Sequence, residues 1–204
     1  MSFTLWFTGL SGAGKSTLSR HVYLELRRRA LAAELLDGDL IRTNFSSELG
    51  FTRRDRDINV RRIGFVSHLL NKNGVISVVA AIAPYAEARD QNRALLGRYI
   101  EIHVDCPVEV TEGRDVKGLY ARARAGDIKN FTGVSDPYEV PRHPEVVCHT
   151  DVETVTQSVR KILIWLEGHG MIPEPDVSCR IEYSEKDEQA WRERLARLGY
   201  ARLG

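Results

Sequence analysis

The chain has 204 residues, with 29 Lys and Arg against 28 Asp and Glu, a net charge of +1 and 43% apolar residues. That length suits one α/β domain with a real core. The near-neutral balance speaks against a nucleic-acid footprint, and no apolar run approaches a membrane span. Cys106, Cys148 and Cys179 are scattered and form no C-x-x-C pair, and the six histidines follow no H-E-x-x-H or comparable ligand spacing. Reduced thiols in a cytoplasmic protein are therefore expected, without a zinc site.

Phe3-Thr4-Leu5-Trp6-Phe7 is rich in strand formers, so the chain enters a first strand directly, with no charged prefix and apolar signal core. Next comes Gly9-Leu10-Ser11-Gly12-Ala13-Gly14-Lys15-Ser16-Thr17, a complete G-x-x-x-x-G-K-[ST] loop. Its glycines let backbone wrap a phosphate, and the loop amides and the following helix start direct positive charge at the anion. ATP is the expected ligand, held by Gly9, Ser11, Gly12, Ala13, Gly14, Lys15, Ser16 and Thr17. Lys15 would reach the β- and γ-phosphates, and the Ser16 hydroxyl would ligate Mg²⁺. Leu18, Val22 and Leu26 recur every four residues, as on one face of the helix this motif requires.

Ala30–Leu36 predicts a second strand, ending at Asp37-Gly38-Asp39. A D-G-D is a tight turn in its bland reading. At the carboxyl edge of a sheet beside a P-loop it can also serve chemistry. Asp37 would position Mg²⁺ through water or take a proton from an attacking hydroxyl, and Asp39 would bind the acceptor. Thr52–Arg62 is dense in arginine, which suits either a solvated helix face or a site for phosphate or sulfate. Phe51 offers a ring to a base. Ile63, Val66 and Leu70 extend a helix from about Asp55 to Asn71. Asn71-Lys72-Asn73-Gly74 lacks the aspartate of an N-K-x-D guanine reader and reads as a helix cap and turn.

Val75–Ala83 is continuously apolar, as for a strand buried on both faces. A helix over Ala86–Leu96, a strand over Tyr99–Val104 and a helix opening at Val108–Glu112 follow. The stretch 114–144 is cationic to Asn130 and then rich in Gly, Pro and Asp, which in its bland reading is a basic surface helix and loop. It reads as a lid that excludes water and brings charge to a moving phosphoryl group. Glu145–Cys148 predicts a fifth strand and Val152–Leu166 a closing helix. Residues 1–170 make the kinase domain. Residues 171–204 form a C-terminal extension, with a helix from about Glu185 to Leu198, that docks on the domain or a partner subunit. The alternation predicts an α/β fold of three layers, α/β/α, around a five-stranded parallel sheet, as in P-loop NTPases.

Beyond the P-loop, Leu36–Asp39 (LDGD), Leu49–Phe51 (LGF), Asp55–Ile63 (DRDINVRRI), Arg114–Tyr120 (RDVKGLY), Ala123–Gly133 (ARAGDIKNFTG) and Asp136–Pro141 (DPYEVP) stand in order. With these motifs, residues Phe3 to Leu166 resemble the adenylylsulfate kinase (APS kinase) family. The resemblance implies transfer of the γ-phosphoryl of ATP, with Mg²⁺, to the ribose 3′-hydroxyl of adenosine 5′-phosphosulfate (APS). It implies that Asp39, Arg42, Arg56 and Asn59 hold that acceptor, that Phe51 and Phe131 sandwich its adenine, and that Ile82 and Lys117 line its site. Asp37, Lys15 and Lys117 would be catalytic, with Ser16 and Asp37 on the metal. A homodimer and coupling to an ATP sulfurylase are expected from the resemblance alone. Two departures stand out. Ala83 replaces a phosphorylatable serine in the family's I-S-P-Y-R, so transfer must be direct, and Ala86 replaces the arginine. They leave open a related kinase with another nucleotide-like acceptor. A nucleotide-binding module without catalysis is the alternative of a different class.

Overall fold

The computed structural model describes residues 2–115 and 117–174. The helix expected over Glu185–Leu198, and the extension beyond Glu174 with its docking role, lie outside the described residues. Five parallel strands run β1 (Thr4–Thr8), β2 (Ala33–Asp37), β3 (Ile76–Ala80), β4 (Tyr99–Asp105) and β5 (Val146–His149), in the spatial order β2-β3-β1-β4-β5. β1 sits at the centre and every one of its residues is buried, which is why its sequence is apolar without alternation.

The helices are α1 (Lys15–Arg28), α2 (Gly38–Phe45), α3 (Arg53–Lys72), α4 (Ala86–Leu96), α5 (Val108–Arg114), α6 (Leu119–Arg124) and α7 (Val155–Gly168). Side chains alternate across a strand. Trp6, Leu36 and Val79 share one sheet face and pack with Val60 and Ile63 of α3 and Ala88 of α4. Helices α1 and α7 pack together on the other face. The periodic residues Leu18, Val22 and Leu26 are all buried there. The three-layer α/β/α expectation holds.

Several boundaries differ from the sequence reading, each for a local reason. β2 begins at Ala33 because Ala30 still belongs to the helix end, with a left-handed φ of 56°. β3 stops at Ala80 instead of Ala83, because Ala83 turns left-handed, with φ of 43°, ahead of Pro84. α3 starts at Arg53 because Thr52 and Asp55 form a reciprocal capping box, and α7 starts at Val155 because Thr154 and Gln157 do the same. Within the lid segment the helix is the short α6, beyond which the chain turns at Gly126. The Asn71–Gly74 cap is confirmed, with Asn73 as C-cap. Among the described residues no helix is long and apolar enough to cross a membrane.

In this strand order the loops after β1 and β2, the turn after β3 and the segments after β4 and β5 all emerge along one carboxyl edge. Ligands of open α/β sheets sit there, at the point where strand order reverses.

Candidate active site

The P-loop runs from Gly9 to the first turn of α1. Gly9 lies so close to β4 that a Cβ would sit 2.3 Å from the Val104 carbonyl oxygen. Gly14 caps α1 with φ of 100°, a conformation side chains resist. Three loop carbonyls are tied back. Leu10 O accepts from Lys15 Nζ at 2.7 Å, Ser11 O from the Tyr120 hydroxyl at 3.0 Å, and Ala13 O from the Thr150 hydroxyl at 2.7 Å. The Ala13 amide also closes onto Leu10 O at 3.2 Å, so these bonds fix the turn of the loop in the form of a backbone anion cradle. Lys15 is buried, and burial lowers its ammonium to about 8, against the opposing pull of Asp39 and with a smaller downward push from Lys117.

Asp37 stands at the end of β2. Its Oδ2 accepts from the Ser16 hydroxyl at 2.9 Å, and its Oδ1 caps α2 by accepting from Asp39 N at 2.9 Å. The D-G-D is thus both strand end and helix cap, and it sets Asp37 beside the P-loop. A hydroxyl and a carboxylate meeting at a phosphate cradle fit Mg²⁺, which keeps several waters and takes one or two protein oxygens. Asp39, one residue into α2, ion-pairs with Lys117 from the segment between α5 and α6.

On the outer side of Asp39 lies a shelf built by α2, α3 and the loop between them. Arg42 donates to the carbonyls of Leu49 and Gly50, and its guanidinium lies 4.2 Å from the Phe51 ring centroid. The Arg56 guanidinium lies 5.6 Å from the same ring. Arg56 donates from Nε to Phe51 O at 3.0 Å and from Nη2 to Asn130 O at 2.5 Å. One buried arginine therefore ties the Phe51 loop to the residue preceding Phe131. Burial lowers both guanidinium groups, and Arg56 pushes Arg42 further down. Two cations crowded and partly desolvated make a receptive place for an anion. Asn59, one turn beyond Arg56, is buried with an Oδ1 that has no partner, an orphan acceptor that a ligand donor would satisfy.

Phe51 is 53% exposed, whereas Phe131 is buried edge-on against Tyr120, centroids 5.0 Å apart. Phe131, Tyr120 and Ala123 form a small core of the lid, flanked by Leu119, Ile128 and Val134. Ile82 is half-buried two residues past the end of β3, where its carbonyl accepts from Thr8 Oγ1 at 2.6 Å. Ala83 is buried in the core and its carbonyl is held by Arg89 at 2.7 Å, while the Ala86 amide is held by Glu139 at 2.7 Å.

The structure thus sets the P-loop residues, Asp37, Asp39 and Lys117 side by side, and it links the Arg42–Phe51–Arg56–Asn59 shelf to the lid. Sequence reasoning missed the residues that shape the P-loop from outside. Tyr120 lay within a quoted motif that pointed to no role. Thr150, with Arg114 donating to its carbonyl at 2.6 Å, carried no local signal, since it reaches the loop from the far side of β4.

The family model described as adenylylsulphate kinase matches residues 1–149. An adenylyl-sulfate kinase of Rippkaea orientalis is 53% identical over 172 residues, covering 84% of this chain and 95% of that protein. Among solved structures, the Mycobacterium tuberculosis APS kinase CysC in complex with AMPPNP and APS is 38% identical with a TM-score of 0.79, covering 81% of this chain and 98% of that one. The hexameric APS kinase from Thiobacillus denitrificans is 39% identical with a TM-score of 0.65, covering 84% of this chain and 30% of that one. With its P-loop, its acidic β2 end and its arginine shelf on a single sheet edge, the chain belongs to the adenylylsulphate kinase family.

Proposed function

We propose that the chain transfers the γ-phosphoryl group of ATP to the 3′-hydroxyl of APS, giving 3′-phosphoadenosine 5′-phosphosulfate and ADP. The observation that carries this reading, beside the family, is the convergence of four separate segments on one sheet edge. They are the P-loop, Asp37–Asp39, the Arg42–Asn59 shelf and the lid that sends Lys117 to Asp39.

On this reading the P-loop amides and Lys15 hold the triphosphate, with Ser11, Thr17 and the other loop residues shaping the turn. Arg114 and Thr150 wall the loop on the side of β5, where the donor base would lie. Ser16 and Asp37 would hold Mg²⁺, which would supply neutralisation of the triphosphate's charge. Asp39, Arg42, Arg56 and Asn59 bind the phosphosulfate nucleotide, Phe51 and Phe131 face its adenine, and Ile82 and Lys117 close the site. When substrates enter, Lys117 leaves Asp39 for the transferring group and Lys15 leaves Leu10 O for the phosphates. Each trades a protein partner for a developing negative charge. Asp37 takes up or orients the 3′-hydroxyl proton as the bond to phosphorus forms in line with the leaving ADP oxygen. Ala83 has no hydroxyl to receive the phosphoryl group, so transfer passes directly between substrates.

The test is ADP release from Mg·ATP with APS, compared with AMP and other nucleotides. APS-dependent ADP and a 3′-phosphorylated product support the reading. Faster turnover of another nucleotide would reassign the acceptor, and the absent arginine at Ala86 would then explain the shift. We also assign this chain to the cytoplasm, to a homodimer and to work beside an ATP sulfurylase. The free, buried Cys106 and Cys148 support the first. The assembled Thiobacillus relative supports self-association, and sedimentation at several concentrations would show the number of copies. The acceptor's own chemistry supports the third, since an adenylyl group must first be joined to sulfate.

A further inference from the structure

The segment Asp136–Glu139, just downstream of Phe131, is fastened to the turn Ala83–Ala86 by bonds from both ends. The Tyr85 hydroxyl donates to Asp136 Oδ2 at 2.5 Å. Glu139 N donates to Pro84 O at 2.8 Å, and the Glu139 carboxylate accepts from Ala86 N at 2.7 Å. Arg89 of α4 donates to the carbonyls of Ala83 and Glu139 at 2.7 and 2.6 Å, and it is itself anchored by the buried Glu101 at 3.0 Å. Tyr138 reaches back to Thr8, the residue before the P-loop, with 2.9 Å between their hydroxyls.

Upstream, the chain from Phe131 to Asp136 is closed on itself. The amides of Val134, Ser135 and Asp136 all donate to Phe131 O, at 3.0, 3.0 and 3.1 Å, and the Phe131 amide donates to Ser135 Oγ at 3.0 Å. A loop knotted in this way moves as a unit. Fixing Asp136 therefore fixes the Phe131 backbone, and Arg56 grips the neighbouring Asn130 carbonyl from the other side.

We propose that Tyr85, Asp136 and Glu139 form a latch that positions Phe131 over the acceptor's base, so that the turn after β3 and the lid behave as one rigid wall of the acceptor pocket. None of the three needs to touch the reacting atoms; they are positioning residues. The Tyr85 phenol is pushed up to about 12 by burial and by its bond to Asp136, so it stays a donor at working pH. The clamp also gives Ala86 a role. Its amide at the start of α4 receives the Glu139 carboxylate, and Arg53, whose guanidinium lies 4.4 Å from the Tyr85 ring centroid, stands 3.9 Å from the same carboxylate.

This inference rests on the APS reading, and the experiment separates the two. Steady-state kinetics of Tyr85→Phe, Asp136→Asn and the double variant are measured beside hydrogen exchange of the amides of residues 131–136. Tyr85→Phe removes one oxygen from a charge-assisted bond, so KM for APS should rise about tenfold while KM for ATP stays within about twofold. Asp136→Asn keeps an oxygen for the Tyr85 hydroxyl but removes the charge that strengthens the bond, so the double variant should cost less than the two single changes added together. Exchange at the amides of 134–136 should quicken in each. Unchanged exchange, equal rises in both KM values, or additive effects would overturn the latch. Failure of the unaltered chain to use APS would overturn only the acceptor assignment, because the exchange result stands without it. If Asp136→Asn does not fold, Tyr85→Phe carries the test with Glu139→Gln, which weakens the second fastening. Glu112→Ala, which breaks a lid ion pair with Arg124 remote from the clamp, serves as the control and leaves both KM values in place.

Discussion

The proposed donor and acceptor halves of this site are built from different materials. The donor half is backbone: a short run of consecutive residues, with Gly9 where a Cβ would strike β4 and carbonyls tied back by Lys15, Tyr120 and Thr150. Its one charged side chain, Lys15, is buried. The acceptor half is side chain: Asp39, Arg42, Phe51, Arg56, Asn59 and Phe131 come from α2, α3, the loop between them and the lid, and Phe51 stands half in solvent. A backbone cradle is preorganised and tolerates little change. A side-chain shelf is assembled from distant parts and should fail in graded steps. Substitutions at each half test that contrast.

The largest effects are expected where the halves meet. Asp37→Asn keeps an acceptor for the α2 cap but removes the charge beside Ser16. It should lower kcat by about 10²- to 10⁴-fold with little change in either KM. Full turnover in that variant would remove Asp37 from the chemistry and leave it a helix cap. Lys15→Ala should cost about 10²- to 10³-fold in kcat. Gly9→Ala adds no charge and removes none, yet it drives a methyl into the Val104 carbonyl. ATP binding measured by calorimetry should be lost there along with turnover. A Gly9→Ala protein that binds ATP normally would mean the cradle is more pliable than its packing indicates.

The same division explains what could be read from the sequence. The P-loop is a local motif because adjacent amides form one site, so spacing alone discloses it. The sheet was equally legible: β1 and β3 are buried on both faces and therefore apolar throughout. The shelf needed a resemblance to be assembled, since nothing in the spacing of Phe51 and Phe131 shows that Arg56 bridges their loops. Thr150 and Arg114 were missed because their partners are far away in sequence. Boundaries slipped where one residue's cap or φ overrides a run, as Ala83 does in ending β3 and Thr52 in starting α3.

Within the acceptor half, the two rings should separate binding from stability. Phe51 is exposed and packs mainly under Arg42, so Phe51→Ala should raise KM for APS by about ten- to a hundredfold, the usual range for a lost base stack, without lowering Tm. Phe131 is buried against Tyr120. Phe131→Ala should show a similar rise and also loosen the lid, at about 3–5 kcal/mol of local packing, seen as faster proteolysis between residues 119 and 136. Equal proteolysis in the two variants would mean that Phe131 does not hold the lid core together.

The smallest expected effect concerns a fraction of a proton. Burial lowers Lys15 to about 8 in the free protein, against about 10.4 for an exposed lysine. From about pH 8 to 10.4 the unfolded chain binds more protons at this group than the folded one. Its burial therefore costs stability below that window and the cost fades as pH rises through it. A triphosphate reverses the balance, because two or three anionic oxygens beside Nζ favour the ammonium. ATP binding at pH 8 should then take up about half a proton through Lys15, and almost none at pH 6.5. Calorimetric titrations in two buffers of different ionisation enthalpy measure that uptake directly. Lys15→Ala should abolish the buffer dependence, and Lys117→Ala, an exposed cation at the lid, should leave most of it. Equal heats in both buffers at pH 8 would show that Lys15 is already charged in the free cradle. Its bond to Leu10 O would then be that of a standing ammonium waiting for phosphate.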